Sequence, residues 1–382
     1  VRFTCVHQGY ELYGSDRSFV ETVRVIRAAW PQAVIDVVLP RHGPIVAALE
    51  PLATRILVEP LWILRRRDLP GLLTVGLLRL PLALGRALVR IARSDLVYVN
   101  TTVVADYLLA ARLFRRRCVV HVHEIPEGVV RRVLRMLLGW SGCARIYNSQ
   151  ATRRAFAGEA AAGRVVYNGI ADPGSPKGTT YRGDRPLRLL MLGRISRIKG
   201  QDVLVEAVAR LPDDLRGRIA VRIVGSAFED AERERALAAR VAEPDLRDCV
   251  TLLPFAPDPS EHFRWADLVA VPSCLPESLG RVAIEAMAHG IPPVVSEIGG
   301  LPEVVADGRT GWLVPPGDAA ALSRRLADLV RRPEDWAGFP EAARARYLAV
   351  FAERASAEGM IACFRSVLER RAGRLPAEPR TE

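Results

Sequence analysis

Residues 276–295 read PESLGRVAIEAMAHGIPPVV. Glu277 and Glu285 stand eight positions apart, with Gly280 in a turn that opens a helical stretch between them. A proline pair and an apolar run, ending in Val294 and Val295, follow. A loop carboxylate, the backbone N–H groups of a helix start and a second carboxylate two turns along suit a ligand that is part anion and part polyol. An anion is favoured at a helix N-terminus, and hydroxyl groups donate to carboxylate oxygens.

Outward from this stretch, helical patterns alternate with short, unbroken apolar runs. In the second half the strand-like runs are Leu187–Leu192, Ala220–Val224, Val250–Leu252, Leu268–Pro272, Pro293–Ser296 and Gly311–Val314. In the first half they are Arg2–His7, Val34–Leu39, Arg55–Val58, Leu96–Asn100, Cys118–His123, Arg145–Asn148 and Val165–Tyr167, with helical patterns such as Ser18–Ala29 and Thr101–Leu113 between them. Buried parallel strands read as continuous apolar runs, so two doubly wound parallel sheets are expected. Residues 172–185, DPGSPKGTTYRGDR, have the composition of a linker. The expected division is a first domain over 1–172, a linker over 173–186 and a second domain over 187–382, with the final helix packing back on the first domain. Ligands of such sheets bind at the C-terminal ends of the strands.

The net charge of +11 is unevenly placed. Residues 1–172 hold 24 Lys and Arg against 13 Asp and Glu, which is the whole excess; the remainder holds 30 of each. An anionic partner of the first half is therefore expected. Residues 61–93 crowd leucines between arginines (LWILRRRDLPGLLTVGLLRLPLALGRALVRIAR). They read either as helices facing the first core or as a basic amphipathic surface resting on an anionic membrane. No run is apolar and long enough to cross a bilayer, and the chain opens directly into a strand-like segment. A cytoplasmic protein, peripheral at the inner face of the cell membrane, is the expectation. Six scattered cysteines without a CxxC pair are expected to be free thiols.

Of 54 basic residues only Lys177 and Lys199 are lysine. Where arginine would serve, this chain uses arginine, so Lys199 draws notice. It stands in LLMLGRISRIKGQD, residues 189–202, where an apolar strand ends at Gly193 and Arg194 follows. A guanidinium fork and an ammonium point charge together can neutralise a diphosphate. After the first strand, Gly14 and Ser15 precede a helix, with Ser15 or Asp16 as candidate cap. The run VVHVHE, residues 119–124, puts His123 and Glu124 at a strand's carboxyl end, and His121 is expected to face the sheet's other side.

Gly193 and Arg194 with Lys199 and Gly200, then Glu277 and Glu285 in an E-x7-E arrangement, resemble glycosyltransferase family 4, retaining enzymes of the GT-B fold. The stretch from Val166 through Asn168 and Gly169 to Asp172 is similar to that family's PNGVD strand end. Gly299, Gly300 and Glu303, then 308–311 and 315–318, are similar to its downstream loops. The match covers nearly the whole second half and is looser in the first. It implies GT-B architecture, two Rossmann-like domains facing each other across a cleft.

It also implies roles. Arg194 and Lys199 would bind the donor's diphosphate, Glu285 its ribose and Glu277 the transferred sugar's hydroxyls. The backbones of Ser278, Leu279 and Gly280 would face the phosphate or the sugar, with Gly193, Gly225, Gly14 and Ser15 lining the donor. His123 would lie near sugar and acceptor, and Glu124 would orient or deprotonate the acceptor hydroxyl. His123, Glu277, Arg194 and Lys199 are thus the catalytic candidates. Ser226 and the stretch from Phe255 to Pro257 are expected at the donor's base. The family's usual form after the first glutamate is x-Phe-Gly, against Ser278, Leu279 and Gly280 here; its first loop carries a Gly-Gly pair where Ser15 follows Gly14.

The implied reaction moves a hexosyl group from a nucleotide-diphosphate sugar to an acceptor hydroxyl with retention. It would serve polysaccharide, glycolipid or glycoside biosynthesis, on a saccharide, lipid-linked or small-molecule acceptor. No cofactor and no metal are expected, since no Asp-x-Asp motif stands at a suitable strand end. A non-catalytic nucleotide-sugar-binding protein is the alternative. An NAD-dependent oxidoreductase would need G-x-G-x-x-G after the first strand, which residues 9–15 lack. Phosphorylase-like chemistry would need a pyridoxal-phosphate lysine, for which neither Lys177 nor Lys199 is suitably placed. Nucleic acid is not expected, as no recognition helix or aromatic platform stands out.

Overall fold

Each apolar run forms a strand. The structure, a computed structural model, describes residues 1–12, 14–64, 75–157, 163–174, 176, 181–227 and 230–373. It divides into two compact units, one of Val1–Gly169 with the C-terminal residues from Arg354, the other Ile170–Glu353.

The first unit holds a parallel sheet of seven strands: β1 (Arg2–Val6), β2 (Val34–Leu39), β3 (Arg55–Val58), β4 (Leu96–Val99), β5 (Cys118–Val122), β6 (Ala144–Tyr147) and β7 (Arg164–Val165), in the order β3-β2-β1-β4-β5-β6-β7. The second holds six: β8 (Leu187–Leu192), β9 (Ile219–Val224), β10 (Val250–Leu253), β11 (Leu268–Val271), β12 (Pro293–Ser296) and β13 (Trp312–Val314), in the order β10-β9-β8-β11-β12-β13. Every pairing is parallel. In both sheets the order of strand addition reverses between two adjacent parallel strands, β1 and β4 or β8 and β11. There the loops splay apart and leave a crevice at the carboxyl ends. Several strands stop a residue short of the expected end, because His7, Asn100, His123 and Pro272 lie beyond the last paired residue.

Seven helices carry the argument: α1 (Gly14–Ala29), α2 (Val75–Arg93), α3 (Ala105–Ala111), α4 (Gly128–Ser141), α5 (Gln201–Ala209), α6 (Arg281–Ala288) and α7 (Glu353–Arg371). The helix expected over Thr101–Leu113 is shorter and passes into a 3-10 turn, Arg112–Arg117. Side chains alternate across the first sheet. Phe3, Leu96, Tyr98 and Val119 face one core with Phe19 of α1 and Phe364 of α7. Val97, Val99 and Val120 face another with Ala87 of α2, Leu108 of α3 and Leu134 of α4.

The final helix therefore belongs with the first unit. Phe364 is fully buried, its ring edge-on to Phe3 and Tyr98 at 6.3 and 5.6 Å between centroids. The stretch read as a linker is tied into the second unit at both ends. Asp172 receives two hydrogen bonds from Arg344 at 2.8 and 2.7 Å, and Tyr181 is buried, stacked on Trp336. Residues 65–74 of the leucine-arginine segment, Tyr13, Lys177 and the tail from Leu375 lie outside the described residues.

Truncating Phe364 removes its ring from the packing against β1 and β4. Phe364→Ala is expected to cost about 3–5 kcal/mol. Hydrogen exchange should report the loss as weakened protection in β1 and β4, with the second unit's strands unaffected.

Candidate functional site

In the second unit, the loops after β8 and β11 flank the reversal of strand order. The loop after β8 runs through Gly193 and Arg194 to Gly200, and the one after β11 from Pro272 to Gly280. They are stitched together by the Cys274 N–H donating to the Ile198 carbonyl at 2.8 Å. Across them the Lys199 Nζ lies 2.8 Å from Glu277 Oε2. The buried Ser273 hydroxyl donates to Glu277 Oε1. Both charged side chains are largely covered, at 27% and 13% exposure, so bulk water screens the pair weakly. Gly193 lies against the stem of Lys199, where a Cβ would sit 3.8 Å from Cδ and Cε. Buried Gln201 donates to the Arg194 carbonyl at 3.0 Å, and the Arg194 side chain is exposed.

Glu277 is held from behind as well. The Gly300 N–H donates to its carbonyl at 2.8 Å. A Cβ on Gly299 would come within 2.3 Å of that carbonyl oxygen, and Gly299 has φ +62°. Any other residue there would strain the backbone and push the Glu277 loop away. Gly225 has a packing role of its own: a Cβ would lie 2.0 Å from the Gly193 carbonyl. Ser226 accepts a 3.3 Å hydrogen bond from the Phe255 N–H, which brings those two expected base-side residues together.

Gly280 caps α6 in the left-handed region, and the Leu279 side chain is buried. Glu285 pairs within its own helix, Oε1 accepting from Arg281 Nε at 2.8 Å. The structure thus joins Lys199 to Glu277, whereas Glu285 goes to Arg281. Arg281 escaped sequence reasoning. Its Nη1 is buried with no hydrogen-bond partner among the described residues, a donor in want of an acceptor. The available signal was a cation in the first position of a helix, where the dipole disfavours it.

In the first unit, polar residues crowd the carboxyl ends of β1, β4 and β5. His123 Nε2 lies 2.8 Å from Asn100 Oδ1, Asn100 Nδ2 lies 3.1 Å from His7 Nδ1, and His7 Nε2 lies 2.7 Å from Asp16 Oδ1. Asn100 sets the tautomers. Its carbonyl oxygen accepts from His123 Nε2–H, and its amide donates to His7 Nδ1, so His7 Nε2–H donates to Asp16. Asp16 is therefore a histidine partner within α1 and not its cap. Gly14 and Ser15 lie exposed in the first turn of α1, and the Ser15 carbonyl accepts from Asn100 at 3.4 Å.

His121 and His123 do not go to opposite sides. Their rings lie 3.9 Å apart between centroids. The expectation miscounted the pleat: residues two apart share a face, and His121 and His123 both follow Val119 on its side of β5. His121 Nδ1 meets the Tyr98 hydroxyl at 2.8 Å. Burial holds His121 well below the usual histidine range, with the neighbouring His123 adding to the shift. Burial, aided by His7, lowers His123 to about 3. Burial also raises the Glu124 carboxyl, although the hydroxyls of Thr101 and Thr102 and the His123 N–H donate to it. His7, Asn100, Thr101 and Thr102 were missed by sequence reasoning; the signal was polar residues just beyond apolar strands.

Residues 181–346 match the model of the family described as glycosyl transferases group 1. The likeness to this family lies in those residues. A D-inositol 3-phosphate glycosyltransferase of Streptomyces scabiei is 42% identical over 154 residues, 38% of this chain and 34% of the relative. One from Thermobifida fusca is 33% identical over 186 residues, 47% of this chain and 42% of the relative. The chain thus matches about a third to two fifths of the length of these curated relatives.

Among solved structures, Anabaena HepE in complex with UDP and glucose superposes with a TM-score of 0.75 at 23% identity, covering 97% of this chain and 99% of the other. Sucrose-phosphate synthase from Thermosynechococcus elongatus gives 0.73 at 22%, covering 97% and 99%. Both likenesses are of fold: the chain has the GT-B architecture of two Rossmann-like domains. The matched segment contains Lys199, Glu277 and Glu285. No described helix is long and apolar enough to cross a membrane.

The histidine shifts give a pH signature. Above pH about 6.5 the imidazole is neutral in both folded and unfolded chains and has no effect on stability. Below it the unfolded chain takes up a proton that folded His123 refuses, so stability falls as pH falls toward 3. His123→Gln is expected to recover about 1 kcal/mol of this loss at pH about 5, after discounting for partial exposure. Urea denaturation of the two proteins at pH about 7 and about 5 checks it; an equal loss in both would show His123 titrating normally.

Proposed function

We propose that this protein transfers a hexosyl group from a nucleotide-diphosphate sugar to an acceptor hydroxyl, with retention at the anomeric carbon. The observation that carries the reading is the Lys199–Glu277 contact at 2.8 Å, between loops at the strand-order reversal of a group 1 glycosyl transferase domain. Glu277 takes one of the ammonium's three donors and fixes its place. The other two serve diphosphate oxygens, with Arg194 as a second cation. The remaining lone pairs of the Glu277 carboxylate accept hydroxyl groups of the sugar. Glu285 accepts from the ribose, and the backbones of Ser278, Leu279 and Gly280 lead into α6, whose first N–H groups favour an anion.

Charge grows on the diphosphate as the bond from its oxygen to the anomeric carbon breaks. Lys199, Arg194 and the start of α6 stabilise that charge with groups already in place. The acceptor oxygen bonds to the same face of the carbon, and its proton passes to the departing phosphate oxygen. In the first unit, His123 stays neutral with Nε2–H committed to Asn100, which leaves Nδ1 as an acceptor for a hydroxyl. Glu124, held by Thr101 and Thr102, orients the acceptor hydroxyl. No resident metal or cofactor is needed where two cations already face the leaving group. The acceptor is a saccharide, lipid-linked or small molecule; D-inositol 3-phosphate, named for the relatives, belongs in the first screen.

Thermal stabilisation by UDP-, GDP-, ADP- and dTDP-sugars identifies the donor. With it, Lys199→Ala is expected to lower turnover by about 100-fold or more while the circular dichroism spectrum keeps the native fold, the Glu277 carboxylate retaining the Ser273 hydroxyl as a donor. Full turnover by the variant would refute the role of Lys199. Donor binding without transfer to any acceptor would favour the non-catalytic alternative.

A further inference from the structure

Among the described residues, one face of the first unit carries exposed apolar side chains. α4 buries only Leu134, Leu137, Leu138 and Ser141. Its remaining apolar side chains point outward. Val129, Val133, Met136 and Trp140 are 69%, 41%, 71% and 56% exposed. At 3.6 residues per turn these four fall within an arc of about 60°, a stripe about 16 Å long. Arg132 borders the stripe on the side away from the core, with Arg135 beyond it and Arg131 on the far side of the helix, all exposed. The guanidinium of Arg112, in the adjoining 3-10 turn, lies 5.2 Å over the Trp140 ring. Leu113 beside it is 73% exposed.

α2 packs on the same face of the sheet through Ala87 and Ile91. Its outer surface repeats the pattern, with Leu78, Leu82 and Val89 exposed among Arg79, Arg86 and Arg93. Among the described residues, ten of the seventeen large hydrophobic side chains left exposed lie on α2, the 3-10 turn and α4. Residues 75–93, 112–117 and 128–141 hold eleven arginines and no Asp or Glu. Chance scatter of surface hydrophobics does not concentrate in this way.

We infer that this face, led by the stripe on α4, docks on an anionic lipid bilayer. The exposed apolar groups suit the boundary between headgroups and acyl chains, and the arginines suit anionic headgroups. Trp140 has the amphipathic ring favoured at that depth, and arginine stems lie along apolar surface while their heads reach phosphate. A second copy of this face is disfavoured, since it would bring arginines against arginines with no acid to answer them. Nucleic acid would use the charge but not the apolar stripe. The sequence expectation placed the membrane surface within residues 61–93, of which 65–74 lie outside the described residues; α4 extends that surface. The inference does not rest on the transfer reaction.

Co-sedimentation of the full chain with vesicles tests it. Binding is expected to vesicles of phosphatidylglycerol and phosphatidylcholine at low salt, and not to phosphatidylcholine alone. A Val133→Ser, Met136→Ser, Trp140→Ser triple variant and an Arg131→Gln, Arg132→Gln, Arg135→Gln triple variant should each weaken partitioning about tenfold or more. Neither should lower the melting temperature, because all six side chains are exposed. Failure of the parent protein to bind the anionic vesicles, or both variants binding like the parent, would overturn the inference. So would light scattering that shows a lipid-free dimer abolished by the same variants, which would make the face a contact between copies.

Discussion

An ammonium and a carboxylate held 2.8 Å apart across two loops organise the second unit. The loops leave neighbouring strands at the point where strand order reverses, and helix geometry alone would let them diverge. Four constraints hold them at contact distance: the Cys274–Ile198 backbone hydrogen bond, the Ser273 hydroxyl on Glu277, Gln201 on the Arg194 carbonyl, and the close approach of Gly299 to Glu277. Partly buried charge is costly unless it is paired. Here each partner satisfies the other and retains unused capacity, three donors against one bond for lysine and several lone pairs for the carboxylate. That surplus is what the proposed ligand grip needs and a purely structural ion pair lacks. Arg185 and Asp267 make the contrast: two guanidinium bonds of 2.6 and 2.8 Å and a backbone N–H occupy that carboxylate.

The first unit solves a different problem with similar means. His7, Asn100 and His123 stand where three strands end, and their hydrogen bonds fix one tautomer each. Asn100 is the hub, because its amide has both an acceptor and a donor end. Burial keeps His121 and His123 neutral. A protonated imidazole at His123 would keep its Nε2–H on Asn100 and lose Nδ1 as an acceptor.

Much of the fold was legible because buried parallel strands are unbroken apolar runs; all thirteen strands stand within a residue or two of their sequence positions. Lys199 stood out because this chain otherwise spells basic residues as arginine. What was hidden is equally physical. His7 ends an apolar run and reads as a core residue until its partner Asp16 folds beside it. His121 and His123 were sent to opposite sides by a miscount of the pleat, since residues two apart share a face. Glu285 was expected on a ligand and lies against Arg281, four residues back on the same helix, a pairing that helical spacing permits anywhere. The stripe on α4 was overlooked because an apolar stripe at helical spacing has the same pattern whether a core, a partner or a lipid covers it.

A double-mutant cycle on Lys199→Met and Glu277→Gln, read by calorimetry on whichever of UDP-, GDP-, ADP- and dTDP-glucose binds tightest, tests the central claim most directly. If the pair grips the donor as a unit, each single change weakens binding and the double change costs less than their sum by about 1 kcal/mol or more. Unaltered affinity in both single variants would mean that the contact only staples two loops together.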